Sequence, residues 1–474
     1  MSTKNKKSFL ISTAIDYPSE KPHLGHCLEK VQADVLARYK RLQSFDVHFS
    51  TGADEHGLKI QRRAQKTGKD PQEFVDEMSG HFKDLWKALN ISNDDFIRTT
   101  ENRHLKIVQE ILKKINKKGD IYKGKYKGLY CVECESFYLP KDLKDEKCPV
   151  HHKPVETIEE ETYFFRMSKY QKQILEHIKE NKNFIIPESR RNEILSRLKM
   201  TLQDLSISRT TVKWGIPFPM NKKFTIAVWP EALINYLTTV NYPSSKFKKF
   251  WPAIHIIGKD IIWHHAVIFP CLLFSAGLKF PKTIFVHGFI TVNGQKMSKS
   301  LGNVIDPFEL VEKYSTDAVR YFLLREIPPT EDGDFTYEKF EERYNADLSK
   351  GLGNLVARVL TMAEKVSSIN YQPSKGKEIE KVINNTRKKY KKALDEFKFN
   401  EALISIWELI SFCDRYIEKE RPWEEKENQK IVIGNLLFTI SNIAEMLRPF
   451  LPETSEKILK QLATKKSKPL FPRI

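Results

Sequence analysis

The chain begins with a basic stretch that runs directly into SFLISTAI (8–15), an apolar run of strand length. GHCLEKVQADVLARYKRLQ follows, with Leu28, Val31, Val35 and Leu36 at the three- and four-residue spacing of a helix buried along one face. FDVHFSTGAD (45–54) returns to a strand pattern, and a second helical pattern starts near Gly57. Strand, helix and strand joined by a parallel crossover predict the opening of a doubly wound α/β sheet. Ligands of such sheets bind beyond the carboxyl ends of the strands, where HLGH (23–26) and TGADEHG (51–57) both lie.

From about residue 119 the pattern changes to short β-type pieces rich in Lys, Gly, Cys and Pro. Alternating segments return at FTIAVWPEALINYLT and AIHIIGKDIIWHHAVIFP, and TIFVHGFI (283–290) supplies one further strand. After about 345, Leu, Ile, Val and Ala recur at helical spacing with few strand signals, which predicts a helical bundle. The expected organisation is a sheet domain in two halves, 1–118 and 223–290, split by an insertion over 119–222. A loop and connecting region over 291–345 and a bundle over 346–474 complete it. No repeat of fixed period is present.

Charge adds a partner class. The formal net charge is +18, from 79 Lys and Arg against 61 Asp and Glu, and such an excess favours a polyanion. The N-terminal residues carry no long apolar core, which argues against a secretory signal. The most apolar later run, AVIFPCLLFSAGL (266–278), is too short to span a bilayer and contains Pro270, so no membrane association is expected. Six cysteines in a chain of 474 residues do not make a disulfide scaffold, and a reducing cytoplasm is the natural setting.

Three cysteines and a histidine form a metal pattern instead. CVEC (131–134) is followed after thirteen residues by CPVH (148–151), and the intervening residues are polar. Two knuckles at that separation can set Cys131, Cys134, Cys148 and His151 around one zinc ion, with His152 as an alternative fourth ligand. Four protein ligands fill the zinc shell, so the expected role is structural. Elsewhere, VNGQKMSKSLGNVIDP (292–307) reads as a Gly-Gln turn followed by a cationic loop bracketing Met-Ser with Lys296 and Lys299. Lysines on such a loop suit phosphate charge that develops and then leaves. The spacing of His23 and His26 alone leaves a metal pair and a phosphate grip both open, and a Walker-A sequence is absent.

HLGH together with KMSKS resembles the motif pair of class I aminoacyl-tRNA synthetases. TGADEHGLKIQ, the two knuckles, RRNEIL, LSISRT, KWGIPFP, ALINYLT, IGKDII and KMSKSLGNVIDP are similar, in order, to segments of the methionyl family along nearly the entire chain. The resemblance implies a Rossmann-type sheet split by a zinc-knuckle connective insertion, then a stem-contact region and a helical anticodon-binding bundle. It also implies an ATP-dependent ligase that forms methionyl-adenylate and transfers L-methionine to tRNA(Met), with Mg2+ accompanying ATP and one structural Zn2+.

By the same resemblance His23, His26, Lys296 and Lys299 carry the phosphate chemistry. Gly25, Gly258, Asp260, Met297 and Ser298 bind ATP, with Gly25 leaving room for adenine. Ile15, Tyr17, Trp229, Leu233, Tyr236, Ile261 and His265 surround the methionine side chain, and Asp54 takes its ammonium. Asn354 and Arg358 in GNLVAR and Trp423 in ERPWEE read a CAU anticodon. One departure is visible: Trp229 is followed by Pro230-Glu231 where the family usually has an aromatic residue or leucine and then Asp, which would reshape the edge of the pocket. The sequence stops at Ile474 without the OB-fold extension of some relatives, so a monomer is expected. Two alternatives stay open. A class I synthetase for another amino acid is disfavoured by the modest insertion, and a non-catalytic tRNA-binding relative by the intact HLGH, GKD and KMSKS.

Overall fold

The apolar runs near both ends of the sheet domain line up as six parallel strands in the computed structural model, which describes residues 6–138, 140–150, 152–297, 302–366 and 377–474. Their order is Asp95–Arg98, Asp46–Ala53, Ser8–Thr13, Ile254–Gly258, Thr283–His287 and Ile185–Ile186. The chain steps outward from Ser8–Thr13 on one side and later returns to its other side, pairing Ile11 with Ile254. The order therefore reverses between these two central strands, the point where doubly wound sheets bind ligands. Ile254–Gly258 and Thr283–His287 are buried at every position, as parallel strands covered on both faces must be.

Two units divide the chain. The first comprises Met1–Pro22, Lys40–Leu85 and Ser92–His287; the second comprises His23–Tyr39, Trp86–Ile91 and Gly288–Ile474. Within the first, the insertion is an antiparallel sheet in which Ile121–Cys131 pairs with Glu156–Phe165 over most of its length. Lys125 faces Glu161 and Lys127 faces Glu159 there, so opposite charges stand across the ladder. Two readings from the alternating pattern need correction. After the two-residue strand Thr225–Ile226, the stretch that looked strand-like forms the short helices Val228–Ala232 and Asn235–Thr238. TIFVHGFI is likewise not one strand.

The second unit takes up the remainder of that run. Ile290–Val292 joins a separate three-stranded sheet with Gln295–Lys296 and Gly333–Phe335. The break falls at Gly288, where an added Cβ would meet the Glu331 carbonyl carbon and oxygen at 2.2 Å, so no side chain fits. The hairpin turn before Lys296 is Asn293-Gly294 rather than Gly-Gln; both residues have positive φ (52° and 74°), the geometry a two-residue hairpin requires.

Helices dominate the rest of this unit: Asn354–Glu364, Lys377–Asp395, Phe399–Glu420, Lys426–Leu447 and Pro452–Thr464. The span Asn428–Leu447 is long and apolar enough by composition to cross a membrane, but 72% of its apolar window is buried among its neighbours, as in a core helix. Fully buried Arg320 pairs with Asp34 at 2.7 Å and donates to the carbonyls of Leu89, Pro449 and Phe450. Its donors are spent on these partners, which is what keeps a buried charge tolerable.

Candidate functional site

Three chain segments leave the carboxyl ends of the central strands of the first unit: Ala14–Tyr17, Asp54–Gly57 and Lys259–Ile261. Asp54 is buried, and its backbone N–H donates to the Asp16 carbonyl at 2.7 Å. Its Oδ1 is buried without a hydrogen-bond partner. Burial, followed by the charges of Glu231, Glu135 and Glu55, pushes the Asp54 carboxyl well above the usual carboxylate range. A buried carboxylate so placed is matched by a ligand that brings a positive charge and N–H donors.

Aromatic side chains wall the same region. Trp229 stacks on His264 at 3.6 Å between ring centres, and burial pushes His264 down to about 3, so its ring is neutral. The Trp229 indole N–H donates to the Cys134 carbonyl at 3.0 Å. Buried Tyr236 and His265 are joined at 2.7 Å. His265 Nδ1 lies 3.0 Å from the Ile261 carbonyl, which can only accept; the proton is therefore assigned to Nδ1, and Nε2 accepts from the Tyr236 hydroxyl. Leu233 is buried in the same core, against which Ile261 packs half-buried, and Ile15 is half-buried just past its strand. The Tyr17 hydroxyl is within reach of the His56 carbonyl (2.9 Å) and Glu135 Oε1 (3.0 Å). Gly57, at φ 112°, leaves the space they need, because a Cβ there would stand 2.7 Å from both the Tyr17 and Glu135 oxygens.

Two carboxylates outside the expected ligand-binding set, Glu231 at the noted departure and Glu135, hold this region together. Glu231 is fully buried and accepts from His56 Nδ1 and His104 Nε2, each at 2.9 Å. Burial raises its carboxyl, but the His56 charge and the two histidine contacts outweigh that and hold it below the usual range. Glu231, at the Pro230-Glu231 departure, thus meets a buried histidine pair. Glu135, at φ 51°, accepts from the Lys59 backbone N–H at 2.6 Å and from the hydroxyls of Tyr17 and Tyr130. Its signal was its place directly after the second cysteine; that of His56 was its place inside TGADEHG.

The sulfur atoms of Cys131, Cys134 and Cys148 all lie within 4.8 Å of one another, with Cys134 and Cys148 at 3.5 Å. A tetrahedral ion with metal–sulfur bonds of about 2.3 Å needs sulfur separations of about 3.8 Å, so the three thiolates fit one. The Tyr138 hydroxyl donates to Cys134 Sγ at 3.2 Å, a contact outside the ligand set that orients it. His151 lies outside the described residues, and exposed His152 donates its backbone N–H to the Cys148 carbonyl at 2.8 Å.

HLGH opens the helix Leu24–Leu42, which belongs largely to the second unit. The rings of His23 and His26 are 4.1 Å apart; the His23 N–H donates to His26 Nδ1 and the Gly25 N–H to His23 Nδ1. A Cβ on Gly25 would meet the His23 ring at 2.8 Å and the Met297 methyl at 3.1 Å, so the structure brings Gly25, His23 and Met297 together. Lys296 is exposed on its hairpin, 5.0 Å above the Phe289 ring. Ser298 and Lys299 lie outside the described residues. In the first unit, Gly258 ends its strand and exposed Asp260 folds back, its Oδ1 only 2.8 Å from where a Gly258 Cβ would be.

Asn354 is exposed at the start of its helix, and Trp423 is 54% exposed. Arg358 bonds Glu418 at 2.7 Å and lies over the Trp423 ring at 5.9 Å, so these two are brought together.

Along the chain a doubly wound sheet is interrupted by a cysteine knuckle and followed by a helical bundle, and the matching family models place the chain among class I tRNA synthetases. The family model described as tRNA synthetases class I (M) matches residues 9–154 and 138–360, and that of the anticodon-binding domain of tRNA ligase matches 376–472. Within that class, the chain belongs to the methionyl-tRNA synthetase family. It is 46% identical to the methionine–tRNA ligase of Caldanaerobacter subterraneus over 96% of this chain and 74% of that protein. The ligase of Clostridium perfringens is 47% identical over 97% of this chain and 74% of its own length. The solved structure of Mycobacterium tuberculosis methionyl-tRNA synthetase in complex with methionyl-adenylate is 37% identical, with a TM-score of 0.93, covering 98% of this chain and 100% of that one.

Proposed function

We propose that the chain charges tRNA(Met) with L-methionine at the expense of ATP, through methionyl-adenylate. The observation that carries this reading is 46–47% identity, over 96–97% of the chain, to proteins named methionine–tRNA ligase. In the first step a methionine carboxylate oxygen attacks the α-phosphorus in line; the bond to the bridging oxygen breaks and its electrons leave with pyrophosphate. In the second, the 2′-hydroxyl of the terminal adenosine attacks the acyl carbon and AMP departs. Neither step calls for a strong general base, so positioning and charge stabilisation carry the rate.

The groups correspond to the substrates. Asp54 takes the ammonium, while Ile15, Tyr17, Trp229, Leu233, Tyr236, Ile261 and His265 enclose the thioether. Aromatic contacts to sulfur add roughly 0.3–1.5 kcal/mol to such a pocket. His23 and His26, beside the N-terminal amides of their helix, hold phosphate, and Lys296 and Lys299 neutralise the leaving pyrophosphate. Gly25, Gly258, Asp260, Met297 and Ser298 complete the nucleotide set. Mg2+ accompanies ATP and supplies charge neutralisation. Cys131, Cys134, Cys148 and His151 would hold one structural Zn2+, which fixes the knuckle when bound. Asn354, Arg358 and Trp423 read the anticodon. A reducing cytoplasm suits this reading, because it keeps three thiolates available to a metal.

Amino-acid-dependent ATP–pyrophosphate exchange across all twenty amino acids tests it. Methionine alone should support exchange. A preference for another amino acid, or exchange with none, would overturn the reading.

A further inference from the structure

Most arginines of the second unit are tied down: Arg38 and Arg320 to Asp34, Arg343 to Glu326, Arg358 to Glu418 and Arg421 to Glu424. Arg325 and Arg415 differ. Neither guanidinium makes a hydrogen bond or ion pair with a described residue, and Arg325 Nε is buried without a partner. A buried N–H donor left unsatisfied costs on the order of 1–3 kcal/mol, so its persistence points to a missing acceptor.

Both arginines line one groove of about 350 Å³, with Ile404, Trp407, Glu408 and Ser411. Five of the six residues form a single stripe along the helix Phe399–Glu420, and Arg325 ends the helix Thr316–Arg325. The Trp407 ring is already engaged: its N–H donates to the Asp347 carbonyl at 3.3 Å and it packs on Tyr321 at 4.6 Å. The groove is thus poorly suited to stacking a base. Its acid, Glu408, is paired with Lys389 at 2.7 Å, which leaves the two guanidiniums and the Ser411 hydroxyl to face a ligand. That donor set fits phosphate oxygens, which guanidinium forks grip in pairs. The same helix carries Glu418, the partner of Arg358, three residues beyond Arg415, about 4.5 Å along the axis.

We propose that Arg325 and Arg415 form a phosphate-binding groove for the backbone of the RNA that Arg358 and Trp423 read. This rests on the reading of the chain as a tRNA-charging enzyme. Bases specify and phosphates position, so the groove contributes affinity and salt dependence without sequence preference.

The test uses the full chain with Arg325→Gln and Arg415→Gln, singly and together. Direct binding of tRNA(Met) is measured across a salt series, with methionine-dependent exchange on the same preparations as the reference for folded enzyme. The double variant should bind tRNA on the order of tenfold more weakly, and the slope of log affinity against log salt should shrink by about 1 to 2. The Arg325→Lys and Arg415→Lys pair, which keeps the charge, should recover most of the slope. Unchanged affinity and slope in the glutamine pair would overturn the proposal. So would loss of binding of tripolyphosphate, titrated into the same variants as a small-anion probe, with RNA binding intact, which would make the groove a small-anion site. A wild-type chain that charges no tRNA would instead remove the functional reading beneath it.

Discussion

The proposed amino-acid pocket of the first unit and the proposed RNA-reading helices of the second treat their polar groups in opposite ways. In the pocket, Tyr17, Glu135, Trp229, Tyr236 and His265 bond one another or the nearby backbone inside the fold, and Asp54 keeps a buried oxygen in reserve. In the helical region the corresponding groups stand in solvent: Trp423 is 54% exposed, and Asn354 is exposed too. The difference follows the ligand. A small apolar amino acid gains its affinity from burial, so its walls must be preformed and most of their polar atoms paired, with the exception left for the ligand's own charge. An RNA loop is read at the surface by stacking and edge contacts, and held by charge.

The largest effect should come from breaking the proposed pocket at Asp54. Asp54→Asn keeps the volume but removes the charge opposite the ammonium, which is worth about 2–5 kcal/mol for a buried pair; kcat/KM for methionine should fall on the order of a hundredfold. The pH profile supplies the sign. On the proposed reading only ionised Asp54 pairs with the ammonium, and its carboxyl is raised by burial and by Glu231. As pH falls through that raised pKa, methionine kcat/KM should fall with it, on a limb lying above the ordinary carboxylate value of about 4. The limb should vanish in Asp54→Asn. An unchanged profile would detach Asp54 from the amino acid.

Metal removal should come next, and it should discriminate between the two regions. Cys134 is bonded through its carbonyl to Trp229, and Glu135 beside it holds Tyr17. Chelation, or Cys148→Ser, should therefore raise the methionine KM by roughly tenfold or more. Affinity for tRNA, measured on the same sample, should change far less. Equal loss in both assays would mean that the knuckle supports the whole fold and not the pocket wall.

The architecture beneath this contrast was legible in the sequence from short-range signals, and the expected site residues from the resemblance. The strand-helix-strand opening and the helical bundle follow from periodicity, and the insertion of short β-type pieces from a shift in composition; all three are present, with the antiparallel pairing of the insertion added by the structure. Where the reading failed, distant contacts decided. TIFVHGFI is mostly apolar, yet Gly288 ends the strand, where the Glu331 backbone passes too close for a side chain. Glu231 and His104 are 127 residues apart and carry no local motif, so their buried pair has no signature until the fold brings them together. Gly25 was read only as room for adenine; Met297, from a segment far along the chain, turns out to approach it too.

On the exposed side, Trp423→Ala should raise the KM for tRNA by about tenfold, since stacking one base on an aromatic ring contributes about 1–3 kcal/mol. Because the ring is half in solvent, the loss should appear in tRNA kinetics and scarcely in the melting temperature. A matching loss in amino-acid activation would count against an anticodon role.

The smallest effect should come from Glu418, and it sharpens the contrast most finely. Its carboxylate is 65% exposed and bonds Arg358, itself 34% exposed, so the pair is screened by water and contributes about 0–1 kcal/mol at most. Glu418→Ala should therefore leave thermal stability almost unchanged. Arg358, relieved of a competing acid, should then bind the anticodon loop slightly more tightly, about twofold at low salt, with the gain fading as ionic strength rises. Tighter binding that persists at high salt would mean that Glu418 blocks Arg358 by position, not charge. Weaker binding would mean that it holds Arg358 over the Trp423 ring, and that the exposed reader is preorganised after all, as the buried pocket is.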